Sequence, residues 1–240
     1  MTNSILTFIN TSKKEGKKLV ALLLDPDKVD THSVLDISEK IEASPIDLLL
    51  VGGSTVAPNV TELFVTKLKK HTAKPILIFP GDHGQITNAA DGILFLSLLS
   101  GDNPEYLIHQ QVKAAPILKE TDLEIIPTGY ILIDGDNETA VQRVSQTTPI
   151  SQTNISKIMD TALAGKYLGK QLMYLEAGSG AKTPVSTKII SETAGLLDIP
   201  ILVGGGIRSK KEIQNAFDAG ADIVVIGTVF EENMSFLDRL

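Results

Sequence analysis

The chain has 240 residues, of which 42% are hydrophobic, and it contains no cysteine. The missing thiols exclude cysteine nucleophiles, disulfides and cysteine-ligated zinc sites. With 22 Lys and Arg against 29 Asp and Glu, the net charge is −7, which argues against nonspecific binding to nucleic acid. The first six residues do not combine a basic region with an apolar one, so we predict no signal peptide and a cytoplasmic protein.

Eight short apolar runs are predicted to be β-strands. Each run is continuous rather than alternating, which is typical of parallel strands that are buried on both faces. In chain order they are residues 19–24, 47–51, 75–79, 92–96, 123–126, 171–175, 200–203 and 222–226.

Segments with helical spacing separate most of these strands, at residues 37–41, 60–68, 104–118, 156–168, 188–197 and 209–219. Ser209 is predicted to cap the last of them and Gly220 to end it. The alternation predicts an α/β fold, a single-domain (β/α)₈ TIM barrel over residues 1–240, with an open doubly wound sheet as the alternative. Residues 127–152 are predicted to form an irregular insertion after strand five.

Three of the predicted strands end in glycine-rich sequence. Gly178, Ser179 and Gly180 follow strand six, Gly205 and Gly206 follow strand seven, and Gly227 with Thr228 follows strand eight. Glycine lets backbone N–H groups approach an anion closely, and barrel phosphate sites often follow strands seven and eight. Each sequence alone also suits a tight turn, but together they predict a phosphate site.

Glu176 is placed at the carboxyl end of strand six, where barrel enzymes carry catalytic groups. It is a candidate general base, with a salt bridge at the barrel rim as the alternative. Tyr174 lies two residues earlier and so points to the same face of the strand. It can hydrogen-bond a substrate or simply fill the barrel.

Two oxygen-bearing residues follow the first two strands. Asp25 opens an Asp-Pro-Asp-Lys sequence after strand one, and Ser54 follows strand two. Carboxylate and hydroxyl oxygens suit Mg²⁺, which prefers oxygen ligands. The alternatives are a proline turn with solvated charges for Asp25 and a helix cap for Ser54.

Taken together, these sequences resemble the geranylgeranylglyceryl phosphate synthase family, including its bacterial members, over nearly the whole chain. The segment around Glu176 is quite specific, whereas the glycine ends after strands seven and eight are shared by many phosphate-binding barrels. The matching segments are residues 24–28, 51–54, 94–104, 126–130, 161–165, 174–181, 203–208 and 227–228.

The resemblance implies a prenyltransferase that joins sn-glycerol 1-phosphate to a polyprenyl diphosphate, typically geranylgeranyl diphosphate, to form an ether lipid precursor. Asp25 and Ser54 would contribute to Mg²⁺ binding, and Glu176 would act as the base beside Tyr174. The glycerol phosphate would be bound by Tyr174, Leu175, Glu176, Ala177, Gly178, Ser179, Gly180, Gly205, Gly206, Gly227 and Thr228. The prenyl tail needs an apolar groove, which we expect from residues 93–99 and 127–133.

One position departs from many members of the family, which carry Lys where this chain has Leu23. In this the chain resembles a bacterial-type subgroup that lacks the lysine before the Asp-Pro-Asp turn. The phosphate contact of that lysine is lost or supplied elsewhere, and Lys28 is the candidate. The family is usually dimeric or larger, so we expect a homo-oligomer, and the lipid product leaves peripheral membrane contact open. The alternatives are another phosphate-binding barrel enzyme, such as a sugar-phosphate isomerase or aldolase, and a non-catalytic phospholigand binder.

Overall fold

The computed structural model describes residues 4–29 and 33–240, apart from the side chain of Arg239. The strands are β1 (Leu19–Leu24), β2 (Leu48–Val51), β3 (Ile76–Ile78), β4 (Gly92–Leu98), β5 (Glu124–Leu132), β6 (Leu172–Glu176), β7 (Ile201–Gly204) and β8 (Ile223–Ile226). The helices are α1 (Ile5–Lys14), α2 (Val34–Glu42), α3 (Val60–Leu68), α4 (Gln110–Leu118), α5 (Ala140–Ser145), α6 (Ile155–Tyr167), α7 (Thr187–Leu196), α8 (Lys210–Asp218) and α9 (Thr228–Glu232). A π-helical turn (Glu105–His109) leads into α4, and 3₁₀ turns cover His83–Gln85 and Met234–Arg239.

The eight strands form one closed parallel barrel, which confirms the predicted TIM barrel and excludes the open sheet. Each strand pairs with the next, and β8 returns to β1 with Leu19 opposite Ile223. Side chains alternate between two apolar clusters, so that in β1 Ala21 faces the barrel interior and Leu22 faces the helices. Burial on both faces explains why the strands read as continuous apolar runs.

Helix α1, which the strand and helix patterns did not predict, closes the amino-terminal end of the barrel. Its residues Ile5 and Ile9 are buried in the interior cluster. Glu124, the first residue of β5, accepts hydrogen bonds from the backbone N–H groups of Ile5 at 2.5 Å and Leu6 at 2.9 Å. A carboxylate at a helix N-terminus satisfies free N–H groups and complements the helix dipole.

The prediction that β5 ends near residue 126 is wrong, because the strand continues to Leu132 and pairs with both neighbours. Pro127 led to the early end, since proline cannot donate to a ladder. Its carbonyl accepts from Gln171, so its nitrogen also faces β6, before the ladder with that strand begins at Thr128. No ladder hydrogen bond is lost there. The irregular segment therefore starts after Leu132, and it contains α5.

The connection between β3 and β4 opens the wall of the barrel. It holds only the 3₁₀ turn His83–Gln85, where the other connections between successive strands contain an α-helix. Strand β3 pairs with β4 at just two positions, Leu77 with Gly92 and Ile78 with Ile93, whereas β4 pairs with β5 at seven. Beyond Ile93, β4 has a free edge, and a groove lies against it.

We predict that Glu124→Ala lowers the free energy of unfolding by about 1–3 kcal/mol, because two N–H groups of α1 lose a charged acceptor. Denaturant unfolding followed by circular dichroism measures the change. Glu120→Ala removes an exposed carboxylate close by and should change stability by no more than about 0.5 kcal/mol. Equal effects in the two variants would contradict this function of Glu124.

Candidate active site

A polar cleft of about 380 Å³ opens at the carboxyl ends of the strands. It brings together most of the residues that the sequence singled out, although they lie on five different strands or the loops after them. Those that line it are Asp25, Ser54, Tyr174, Glu176, Ser179, Gly205, Gly206, Gly227 and Thr228. The carboxyl end is the face on which barrel enzymes carry their active sites.

Glu176 is the last residue of β6 and is 6% exposed. Its Oε1 accepts a hydrogen bond from the backbone N–H of Gly178 at 2.7 Å. Burial raises the pKa of the Glu176 carboxyl above its ordinary value, and the neighbouring Tyr174 hydroxyl and the Gly178 hydrogen bond offset part of the rise. The carboxylate is thus held in one orientation with Oε2 free of the Gly178 contact, as a general base requires.

Tyr174 is fully buried on the same face of β6, two residues before Glu176. A Cβ on Gly204 would lie 2.3 Å from the Tyr174 hydroxyl and 2.9 Å from Glu176 Oε2, so both groups lie against this glycine. The hydroxyl is nevertheless without a hydrogen-bond partner in the described part of the chain. Burial, together with the charge of Glu176, raises the pKa of Tyr174 well above its ordinary value, so the hydroxyl stays protonated.

The glycines after β6 and β7 are required by both backbone conformation and space. Gly205 has φ of +83°, and a Cβ there would lie 2.5 Å from Glu176 Oε1. Gly178 has φ of +98°, and its Cβ would collide with Thr139 at 2.1 Å. Side chains at these positions would be strained and would displace the carboxylate or the segment before α5. The Thr228 Oγ1 joins the loops by accepting from the Gly180 N–H at 3.2 Å.

Two residues of the predicted phosphate segment point away from the cleft. The side chains of Leu175 and Ala177 are fully buried in the outer cluster, between strands and helices. Contact between these two residues and a ligand in the cleft is therefore limited to their backbone atoms. The alternation of side chains along β6 explains the difference from Tyr174 and Glu176.

On the opposite side of the cleft, Asp25 lies against the backbone of Gly53, where a Cβ would approach the carboxylate to 2.9 Å. Lys28 Nζ lies 3.3 Å from Asp25 Oδ2 and 3.2 Å from Glu231 Oε2. Burial alone would lower the pKa of Lys28, but the charges of Glu231 and Asp25 outweigh it and raise the pKa. Lys28 is thus a cation that lines the cleft while its side chain stays 49% exposed.

The donor set around Asp25 and Ser54 fits Mg²⁺ in chemistry, since both supply oxygen and the glycine leaves the carboxylate free to approach a ligand. Residues 4–29 and 33–240 hold no group of three or more His, Asp or Glu side chains arranged for a metal. Mg²⁺ commonly binds one or two carboxylates together with substrate phosphates and waters, so a single protein carboxylate is compatible with it.

A second, mostly apolar groove of about 110 Å³ runs along the free edge of β4. Its walls include Ile93, Phe95, Leu96 and Leu98, from the segment expected to line a groove, and Tyr130 from β5. The sequence pattern missed other wall residues, which come from the loop after β3, the π-helical turn and helices α4 and α5; among them are Phe79, Tyr106, Gln111, Val141 and Val144. The one signal in the sequence was the lack of helical spacing between strands three and four, which indicates an opening in the wall of the barrel.

The closed barrel and its glycine-lined cleft define the class of (β/α)₈ barrel proteins. Within it the chain belongs to the PcrB family, whose model matches residues 12–240.

The chain is 52% identical to the geranylgeranylglyceryl phosphate synthase of Flavobacterium johnsoniae, over 99% of this chain and 100% of that protein. The enzyme of the same name from Thermococcus gammatolerans is 41% identical, over 92% and 87%. The crystal structure of (S)-3-O-geranylgeranylglyceryl phosphate synthase from Thermoplasma acidophilum, in complex with its substrate sn-glycerol-1-phosphate, superposes with a TM-score of 0.92. It is 32% identical and covers 98% of this chain and 94% of that one. These matches confirm the family resemblance.

We predict that Glu176→Gln raises the free energy of unfolding at neutral pH. The pKa of Glu176 is raised above its ordinary value of 4.5. Between pH 4.5 and the folded-state pKa, the folded protein therefore binds more protons than the unfolded chain. Stability is then lost as pH rises through the folded-state pKa, and glutamine removes this penalty. Denaturant unfolding at several pH values measures the difference, which should grow as pH rises above 4.5.

Glu138→Gln is the matched control, because this carboxylate also lines the cleft but its side chain is 63% exposed. Its effect on stability should stay within about 0.5 kcal/mol at every pH. A Glu176 variant that is less stable than the wild type at neutral pH would show that the carboxylate is needed for folding.

Proposed function

We propose that this chain transfers a polyprenyl group from its diphosphate to the 3-hydroxyl of sn-glycerol 1-phosphate, forming an ether-linked prenylglyceryl phosphate and diphosphate. The observation that carries the proposal is the junction of the two cavities. The polar cleft and the apolar groove share five wall residues, Gly53, Ser54, Phe79, Tyr130 and Val141. A polar acceptor and an apolar donor can therefore meet at one point. The names and the substrate complex of the relatives agree with this chemistry.

The glycine loops after β6, β7 and β8 bind the phosphate of the acceptor and so fix its hydroxyl near the donor. Glu176 removes the hydroxyl proton as the oxygen bonds to C1 of the prenyl chain. The bond between C1 and the diphosphate oxygen breaks, and its electron pair leaves with the diphosphate. Asp25 and Ser54 would hold Mg²⁺, which when bound neutralises charge on the diphosphate.

A sugar-phosphate isomerase or aldolase, the alternative for this fold, explains the glycine loops equally well. It leaves the apolar groove without a use, since a phosphosugar has no long apolar part. An aldolase that acts through a Schiff base also needs a lysine in the barrel, yet no lysine is among the buried residues of the described chain. The prenyl transfer is therefore the better supported function.

The decisive experiment supplies Mg²⁺, sn-glycerol 1-phosphate and prenyl diphosphates of increasing chain length. We expect an ether product that forms best with one chain length, and none when Mg²⁺ is chelated. The reaction is followed by chromatography of the labelled lipid, with a phosphosugar panel as the comparison. Absence of ether product with every donor would falsify the proposed function, and tight glycerol phosphate binding without turnover would select the non-catalytic binder.

We predict that Glu176→Gln lowers kcat by about 10²–10⁴-fold, the usual contribution of a general base. Because the pKa of the carboxyl is raised, wild-type kcat should fall as pH drops, with a midpoint above 4.5. The residual activity of the variant should lack this acid limb. A pH profile of kcat for both proteins measures it, and an acid limb that survives in the variant would assign the base elsewhere.

We predict that Lys28→Met raises the KM for the prenyl diphosphate by about tenfold or more, the value of one charged hydrogen bond to an anion. Lys28 would supply the cation that Leu23 does not, through its position between Asp25 and Glu231. Steady-state kinetics in both substrates measure it. Lys182→Met, at an exposed site outside the cleft, is the control. Equal KM values in the two variants would exclude Lys28 as a donor contact.

In the described part of the chain, no helix has both the length and the apolar character that a membrane crossing needs. Exposed apolar side chains, among them Ile108, Val112 and Leu168, agree with the expected homo-oligomer. The oligomeric state, peripheral membrane contact and the cytoplasmic location remain predictions.

A further inference from the structure

Three aromatic rings pack together beneath the point where the two cavities meet. The centroids of Phe79 and Tyr130 lie 6.1 Å apart, those of Phe79 and Tyr174 lie 5.6 Å apart, and those of the two tyrosines lie 5.4 Å apart. Tyr130 and Tyr174 are buried and Phe79 is half-buried. Three strands fix them, since Phe79 directly follows β3 and the tyrosines lie on β5 and β6.

The rings divide unequally between the two cavities. Phe79 and Tyr130 line both the polar cleft and the apolar groove, whereas Tyr174 lines the cleft alone. The other shared residues, Gly53, Ser54 and Val141, offer backbone, a hydroxyl and a small aliphatic side chain. Phe79 and Tyr130 therefore supply the aromatic rings where the cleft and the groove meet. A donor whose tail fills the groove and whose C1 meets an acceptor in the cleft must place its allylic carbons there.

The allylic carbons are where positive charge develops. As the bond from C1 to the diphosphate oxygen breaks, the electron pair leaves with the diphosphate and the charge spreads over C1 and C3. It disappears when the acceptor oxygen bonds to C1 and its proton passes to Glu176. The faces of aromatic rings attract positive charge, and the attraction is strongest where water is excluded. A ring at this place stabilises the transition state more than the neutral donor, which is the condition for a catalytic effect.

We propose that Phe79, with Tyr130 beside it, stabilises the allylic cation of the prenyl donor through its aromatic face. This inference rests on the proposed prenyl transfer. The sequence did not indicate Phe79, and it indicated Tyr130 only as part of a segment expected to line the groove. The buried tyrosines keep their hydroxyl protons, because burial raises their pKa well above the ordinary value, so they present neutral rings.

Fluorinated phenylalanines at position 79 test the proposal. Replacement of Phe79 by 4-fluoro-, 3,5-difluoro- and 3,4,5-trifluorophenylalanine keeps the shape of the ring and progressively weakens the charge of its face. We expect log kcat to fall steadily with the number of fluorines, by about tenfold over the series, with little change in the donor KM. Geranylgeranyl diphosphate and sn-glycerol 1-phosphate are the substrates.

The same series at Phe64 is the control, because this ring is fully buried in the outer cluster and lines neither cavity. A flat kcat series at position 79, a change confined to KM, or an equal slope at position 64 overturns the inference. A wild-type protein that makes no ether product overturns the proposed function instead, so the two failures are distinguishable.

A second pair of variants covers the case in which the fluorinated proteins do not fold. Tyr130→Phe keeps the ring, so it should retain most of the turnover, whereas Tyr130→Leu removes the π face and should lose at least about tenfold in kcat. Thermal unfolding verifies that both variants are folded. Equal kcat values in the two variants would contradict a function for the ring.

Discussion

The early end of β3 is the constraint on which the site depends. A closed barrel normally pairs every strand along its length and fills the interior with side chains, which leaves no room for a long apolar ligand. Here β3 has three residues while β4 has seven, and the connection between them in the chain contains no α-helix. Gln111 of α4 satisfies part of the open edge by donating to the Leu96 carbonyl. The wall is thus open, but this carbonyl of β4 still has a hydrogen-bond partner. The groove borders the polar cleft directly.

The remaining strands supply the rigidity that this opening removes. Strand β5 is the longest and pairs over seven residues with β4, so it holds the free edge in place. Its Leu132 lies opposite Glu176, which connects the groove wall to the strand that carries the proposed base. The glycines beside Glu176 leave its carboxylate room, since a Cβ on Gly204 or Gly205 would come within 3 Å of a carboxylate oxygen. One strand ladder therefore fixes the distance between the proposed donor and acceptor sites.

The barrel itself could be predicted from the sequence because burial on both faces makes each strand an apolar run, from Leu19–Leu24 to Ile223–Ile226. The residues of the cleft could be predicted as well, because the carboxyl ends of parallel strands meet on one face of a barrel. The missed elements depend on tertiary contacts. Pro127 breaks the local pattern of β5, and only the position of β6 shows that its missing N–H costs nothing. Helix α1 is explained by Glu124, 119 residues away from Ile5.

Lys28 is our proposed replacement for the lysine that many family members carry at position 23. Leu23 lines the cleft. It lies beside Gly227, because a Cβ on that glycine would be 3.5 Å from the Leu23 Cβ. An apolar residue there leaves the acidic pair of Asp25 and Glu231 without a cation from the strand. The turn after β1 returns Lys28 to the same pair, at 3.2–3.3 Å. The positive charge is thus held on a turn beside the carboxylate, where we propose that it takes the place of the lysine that many members carry at position 23.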